Sequence, residues 1–254
     1  MIPFFGTTGW QIGFLKIQSW GLFVSLGFLI GTFLASWLVK KQKLNKDRLL
    51  NLLIWIIIAS LVGGRLFYVF LENSRNFYLW HPLEIFKIWQ GGLDSFGGFA
   101  GVGIILFWFW YKKKIDWHYL DILAFVFPFG WTVGRMGCLL IHDHLGVLFN
   151  SFLAINFTSG PRLDMALLEI LMLVPLLIIF ALKGLKMLST SGLLSSRLFL
   201  WYGMGRFLLD FLRADDIAGA DARYGGFTVA QWGSLILVFI GLKLLKKIKK
   251  GRFA

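Results

Sequence analysis

The chain has 254 residues, 57% of them hydrophobic and 18% aromatic, with a formal net charge of +13. A soluble globular domain averages about 45–50% apolar, so this composition excludes an ordinary soluble fold and points to an all-α, polytopic membrane protein. The single cysteine, Cys138, excludes a disulfide framework and any multi-cysteine metal site, and the basic residues cluster in short runs between apolar segments, which argues for membrane topology and against nucleic acid.

Residues 1–19 hold Trp10, Phe14 and one lysine, the pattern of an arm lying at the lipid surface, where tryptophan is favoured. No short leader with a small-residue cleavage site is evident, so the first apolar segment is expected to stay in the mature protein. Seven apolar stretches come after it, at about 20–39, 49–71, 96–111, 119–134, 163–183, 195–212 and 228–245. A spanning helix takes roughly 17–25 residues, which places the third and fourth stretches near the lower limit. The expectation is one integral-membrane domain over 1–254, about seven transmembrane helices, the interfacial arm 1–19 and a basic tail from 243 to 254.

Orientation is read by counting lysine and arginine by loop. Residues 40–48, 112–114, the 183–197 connection and the tail from Lys243 together hold 17 of the 26, all on one side if seven helices alternate. By the positive-inside rule that side is the cytoplasm, with the N-terminus outside and the C-terminus inside. Arg65, Arg135, Arg162, Arg206, Arg213 and Arg223 fall instead in outer halves of helices or outer loops. Topology does not require them there, and an anionic ligand at the outer leaflet is the simplest account.

Arg65, within Gly63-Gly-Arg-Leu-Phe-Tyr-Val69, is expected to find a partner on another helix, since Glu72 is two helical turns away; Glu169 and Asp210 are the available buried anions. Before the third stretch, the loop Gln90-Gly-Gly-Leu-Asp-Ser-Phe-Gly-Gly98 carries two glycine pairs around Asp94 and Ser95. Gly91, Gly92, Gly97 and Gly98 allow close backbone approach to a ligand; tight helix packing accounts equally well for Gly97, Gly98 and Gly101, and less well for Gly91 and Gly92. The fourth stretch ends in Gly134-Arg-Met-Gly-Cys-Leu-Leu-Ile-His-Asp-His-Leu-Gly146. Arg135 has the planar fork that grips a phosphate with paired hydrogen bonds, or it snorkels to the interface. His142, Asp143 and His144 suggest a proton-transfer centre; ordinary loop capping by Asp143 is the competing reading, and no metal is expected because adjacent loop residues rarely converge on one ion. In the sixth stretch Tyr202, Arg206, Asp210 and Arg213 fall at steps of four, four and three, on one helical face. Charge at membrane depth costs at least ~2.5 kcal/mol per group, so such residues face a polar interior and mark a ligand path, or pair among themselves.

These segments resemble the prolipoprotein diacylglyceryl transferase family over almost the whole chain and in the same order. The family signature Gly-Arg-x-Gly-Asn-Phe-x-Asn-Gly-Glu is similar to Gly134 through Asp143, and Tyr-Gly-x-x-Arg-Phe-x-x-Glu-Phe-x-Arg is similar to Tyr202 through Arg213. Gly63–Val69, the Gly91–Gly98 loop, Leu15-Lys-Ile-Gln-Ser-Trp-Gly-Leu22 and Gln231 in Ala230-Gln-Trp-Gly-Ser234 match further family segments. The chain departs from the pattern at Phe96, where many members have a histidine, at Cys138 and Ile141, which replace asparagines, and at Asp143, which replaces a glutamate. A Pro-x-x-Leu-Tyr-Glu stretch of the family is thinned to Leu163-Asp-Met-Ala-Leu-Leu-Glu169.

The resemblance implies a seven-helix enzyme of the bacterial inner membrane with its active site toward the outer leaflet. Its substrates would be phosphatidylglycerol and the lipobox cysteine of a preprolipoprotein signal peptide, and glycerol-1-phosphate would be released; no cofactor is expected. Arg135 and Arg206 would bind the phosphate, with Tyr202, Asp143, Gly146, Asp210 and Arg213 carried over around them. His142 and His144 would replace the base absent at Phe96, and Arg65, the loop glycines and Gln231 would contribute to substrate binding. The competing class is a paralogue that binds or transports an anionic phospholipid, or that transfers to another acceptor.

Overall fold

Long apolar runs with few breakers make this chain mostly helical. The computed structural model describes residues 1–13, 15–71, 75–88, 91–217 and 220–251. In chain order these form β1 (Ile2–Pro3), β2 (Gly9–Ile12), β3 (Leu15–Gln18), α1 (Ser19–Lys41), α2 (Lys46–Leu71), α3 (Arg75–Trp80), α4 (Ser95–Tyr111), α5 (Trp117–Ile141), β4 (Leu145–Leu148), β5 (Ile155–Phe157), β6 (Gly160–Asp164), α6 (Met165–Met187), α7 (Leu193–Leu209), β7 (Arg223–Tyr224), β8 (Phe227–Thr228) and α8 (Val229–Lys249). Every helix but the short α3 overlies one of the apolar stretches read from the sequence. α5 runs further than expected, carrying Arg135 and Cys138 inside a helix.

Five helices, α1, α2, α5, α6 and α8, are long and apolar enough to cross a membrane. α4 is apolar but shorter, and α7, also 17 residues long, includes Arg197 and Arg206. Bulky side chains such as Phe33, Ile104, Leu182 and Phe239 are more than half exposed, a surface suited to lipid rather than water. The protein is therefore a polytopic membrane protein.

The expectation of an all-α chain needs correction. β2 and β3 make an antiparallel hairpin with Gly9 opposite Gln18, so the arm 1–19 is built largely from strands. β1 pairs in parallel with β5 in a sheet of order β1-β5-β6-β4, and β7 pairs with β8. Strands of two to five residues are too short for alternation to stand out as a period of two.

Two compact units divide the backbone: Ser36–Tyr119, and Met1–Ala35 with Leu120–Ala254. In the first, α2 packs on α4 at a distance only glycine permits. A Cβ on Gly63 would lie 2.3 Å from the carbonyl oxygen of Gly97, and one on Gly97 would lie 2.3 Å from that of Gly63. Asp94 caps α4 by accepting from the Gly97 amide at 2.9 Å.

In the second unit α7 packs on α8 and on α6. The buried Asp121 accepts from the Gly192 amide (2.5 Å) and from the amide and hydroxyl of Ser195 (2.8 and 2.7 Å), which satisfies N–H groups that the start of α7 would leave unpaired. At the other end of this unit the close of α5, the start of α6, the close of α7 and the start of α8 converge. The Met165 amide bonds the His144 carbonyl at 3.0 Å, and the Ala214 amide bonds that of Leu145 at 3.1 Å.

Candidate active site

At that convergence a single carboxylate gathers four donors. Glu169, one turn into α6 and fully buried, accepts from Trp131 Nε1 (2.6 Å) and Tyr202 Oη (2.7 Å) on one oxygen. Its other oxygen meets Arg135 Nη2 and Arg206 Nη1, each at 2.9 Å. Arg206 also reaches Asp210 at 3.0 Å, so the i, i+4 pairing within its own segment is real but shared. Breaking so buried a pair by removing one partner leaves an uncompensated charge and costs about 3–5 kcal/mol, which is why the cluster needs all its members. Arg135 stacks over Trp131, 4.8 Å from its ring centroid, and its buried Nε has no hydrogen-bond partner among the described residues.

The four-four-three face predicted for Tyr202 to Arg213 holds only as far as Asp210. α7 stops at Leu209, a 3-10 turn covers Asp210–Leu212, and Arg213 is extended. Arg213 pairs with Asp221 through Nε at 2.6 Å and approaches His144 Nδ1 at 3.4 Å. Its backbone bridges Gly146, where an added Cβ would lie 2.9 Å from the carbonyl oxygens of Leu163 and Leu212. Gly146 is thus the point at which two backbone segments cross. Asp210 also accepts from the Thr228 hydroxyl. Thr228 and Gln231 close a capping box on α8, and Gln231 Nε2 donates to the Phe207 carbonyl at 3.3 Å, so its amide ties α8 to α7.

The two histidines have different surroundings. His142 stands at φ +51, ending α5. Its Nδ1 lies 2.8 Å from Asp164, the residue that caps α6, and its Nε2 contacts the Phe5 carbonyl. Phe4, Phe5 and Phe157 pack around the ring. Both ring nitrogens are engaged, which makes His142 a brace between the arm and α6. His144 has Asp143 3.7 Å from Nε2. Partial desolvation, then the charges of Arg135 and Arg213, lower the pKa of His144, and partial desolvation raises that of Asp143. Cys138, Asp143 and His144 offer ligand atoms within 4.8 Å of one another. With Arg135 Nη1 3.8 Å from the sulfur and Arg213 against the imidazole, the local field disfavours a divalent cation there.

In the other unit, Arg65 finds no carboxylate among the described residues, contrary to expectation. It binds four backbone carbonyls instead: Ile85 (2.9 Å), Glu84 (2.7 Å), Gly91 (2.7 Å) and Gly92 (2.8 Å). Glu72 lies outside the described residues. Gly91 and Gly92 take φ of +92 and +74, the left-handed region open to glycine, and so present their carbonyls to the guanidinium. Gly97 and Gly98 lie on the α4 face turned to α2.

All six arginines that the sequence leaves outside the topological runs have partners within the protein: Arg65 has carbonyls, Arg162 a two-pronged pair with Asp216 (2.9 and 2.6 Å), Arg213 has Asp221, Arg223 has Asp215 at 3.9 Å, and Arg135 and Arg206 have Glu169. Only Arg135 and Arg206 share one acceptor. Glu169 and Trp131 were absent from the expected site residues. The available signal was a glutamate buried in an apolar helix, which must have a cationic partner.

The sequence pattern of the prolipoprotein diacylglyceryl transferase family matches residues 8–246. A phosphatidylglycerol–prolipoprotein diacylglyceryl transferase of Ehrlichia ruminantium (strain Welgevonden) is 28% identical over 252 residues, covering 93% of this chain and 94% of its own length. The proteins of the same name from Pseudomonas syringae pv. syringae and Pseudomonas aeruginosa (strain LESB58) are each 31% identical, covering 92% of this chain and 90% of their own lengths. A match of this extent, with Arg135 and Arg206 meeting over one carboxylate at its centre, shows that the chain belongs to the prolipoprotein diacylglyceryl transferase family.

Proposed function

We infer that the protein transfers the diacylglyceryl group of phosphatidylglycerol to the thiol of a lipobox cysteine in a preprolipoprotein. The observation that carries the chemistry is the convergence of Arg135 and Arg206 on one buried carboxylate. In the reaction the cysteine sulfur attacks the glyceryl carbon, an S–C bond forms and the C–O bond to phosphate breaks. The electron pair leaves on the phosphate oxygen, and glycerol-1-phosphate departs. The guanidiniums stabilise the charge that grows on that oxygen. Tyr202 and Asp210 hold Glu169 and Arg206 in place rather than meeting substrate. His144 takes the thiol proton: a lipid phosphate arriving between the arginines supplies the negative charge that an imidazolium there requires, so lipid binding precedes deprotonation.

Purified protein incubated with phosphatidylglycerol and a lipobox peptide is expected to add the diacylglyceryl mass to the peptide and free glycerol phosphate in equal amounts. Lipid retention with neither product, across several headgroups and peptides, would favour the binding or transport reading instead.

The same reading sets seven crossings in the bacterial inner membrane, N-terminus outside, C-terminus cytoplasmic and the Glu169 cluster toward the outer leaflet. It is supported by the lysine and arginine runs at 40–48, 112–114, 183–197 and 243–252. With Cys138→Ser as background, an impermeant thiol reagent applied to the periplasmic side should label Asn150→Cys and spare Asn45→Cys; labelling at 45 would reverse the orientation.

A further inference from the structure

At one end of the α2–α4 pair lies a cavity of about 300 Å³ lined by Arg48, Asn51, Phe109, Lys113 and Lys114. Phe109 is buried and forms an apolar floor. No carboxylate pairs with Arg48, Lys113 or Lys114 among the described residues; Asp116 is engaged with the amide and ring of His118.

Positive-inside topology calls for cations at this end, but it does not dictate these positions. Lys113 sits at φ +54. Its amide donates to the Trp110 carbonyl and that of Lys114 to the Phe109 carbonyl, both at 2.9 Å. This pair of bonds closes a helix with a left-handed residue where glycine is the unstrained choice. The end of α1 repeats the device: Lys43 is also at φ +54, with the Lys43 amide on the Lys40 carbonyl (3.2 Å) and that of Leu44 on the Val39 carbonyl (2.9 Å). Arg48 stands in the first turn of α2, where the helix dipole opposes a cation. The Lys114 ammonium is held 4.2 Å from the Trp108 ring centroid and 5.3 Å from that of Phe109, which directs it to the cavity. Backbone preference at Lys113 and the α2 dipole at Arg48 work against these two cations, whereas the C-terminal dipole of α4 favours Lys113 and Lys114; an anion between the three side chains offsets the unfavourable placement of Arg48.

We propose that this cavity binds the phosphate of an anionic phospholipid, in addition to the substrate lipid and in the leaflet that the lysine-rich end faces. Basic hollows between membrane helices on that side suit anionic headgroups, and the exposed Ile54, Trp108 and Trp110 on the same two helices offer apolar surface to the acyl chains. The site stands whether or not Arg135 and Arg206 turn lipid over.

Native mass spectrometry of the full-length protein in neutral detergent, titrated with phosphatidylserine and with phosphatidylcholine as the uncharged-headgroup control, tests it. A cation near an anionic lipid contributes about a factor of five in binding. Lys113→Gly should therefore weaken phosphatidylserine retention about fivefold, while thermal stability without lipid holds or rises because glycine suits the left-handed position. Arg48→Gln/Lys113→Gly/Lys114→Gln should weaken it roughly a hundredfold and remove one bound lipid. The same loss is expected when these changes are made on top of Arg206→Lys, which keeps the charge beside Glu169 and separates this site from the transferase cluster. Unchanged retention in a folded Lys113→Gly protein and in the triple variant would overturn the proposal. Inorganic phosphate binding the cavity as tightly as the lipid would overturn the lipid assignment.

Discussion

Arg206→Lys is expected to lower turnover per folded protein roughly ten- to hundredfold, and Arg135→Gln, which also lowers stability by uncovering Glu169, by at least as much, since a charge-assisted hydrogen bond contributes about 1.5–3 kcal/mol. A lysine at 206 keeps the charge but loses the planar fork that reaches Glu169 through one nitrogen at 2.9 Å and Asp210 through the other at 3.0 Å. Peptide lipidation followed by mass, with phosphatidylglycerol affinity measured in parallel, separates a loss in the chemical step from a loss in binding. Because both guanidiniums meet the same Glu169 oxygen, the double variant should fall short of the product of the two single losses. Near-normal rates and affinity in both single variants would remove the arginines from the phosphate site.

His144→Gln should cost about 10²–10⁴-fold in rate, the usual worth of a positioned general base, whereas His142→Gln should act mainly on stability by breaking the brace to Asp164. The pH profile distinguishes them. A proton acceptor works only while neutral, and in the lipid-free protein partial desolvation and the charges of Arg135 and Arg213 shift His144 toward its neutral form, below the ordinary histidine range. kcat/KM, which reports the free enzyme, should therefore stay flat on its acid side through the ordinary histidine range. In the lipid complex the phosphate charge raises the His144 pKa, so the acid limb of kcat should lie at higher pH than that of kcat/KM. A His144→Gln enzyme with unaltered rate and profile would place the acceptor elsewhere.

The helices are legible in the sequence because an apolar run near membrane length has few other uses, and seven of them appear close to where hydropathy sets them. The Tyr202–Asp210 face is legible because its spacing is helical, but the stop at Leu209 is not: nothing in Leu-Leu-Asp-Phe-Leu breaks a helix, and the contact of Asp210 with Thr228 comes from eighteen residues further on. Arg65 is misjudged for a related reason. A buried arginine suggests a carboxylate, and only three dimensions show that the left-handed Gly91 and Gly92 turn carbonyls toward it. Glu169 is visible as a buried anion, but its partners come from α5 and α7, more than thirty residues away on either side, beyond the reach of any local pattern. The β5–β6 hairpin and the strands of the arm are lost for want of length.

The glutamate under the two arginines also bears on how the product leaves. A pocket with two bare guanidiniums would hold the departing phosphoglycerol more tightly than the lipid, because the freed phosphate carries more negative charge than the diester from which it came, and the enzyme would be inhibited by its own product. Glu169, buried and paired with both arginines, already cancels part of that field before any lipid arrives. It lowers affinity for both anions, but it penalises the more highly charged one more, and so favours release of glycerol phosphate over its retention.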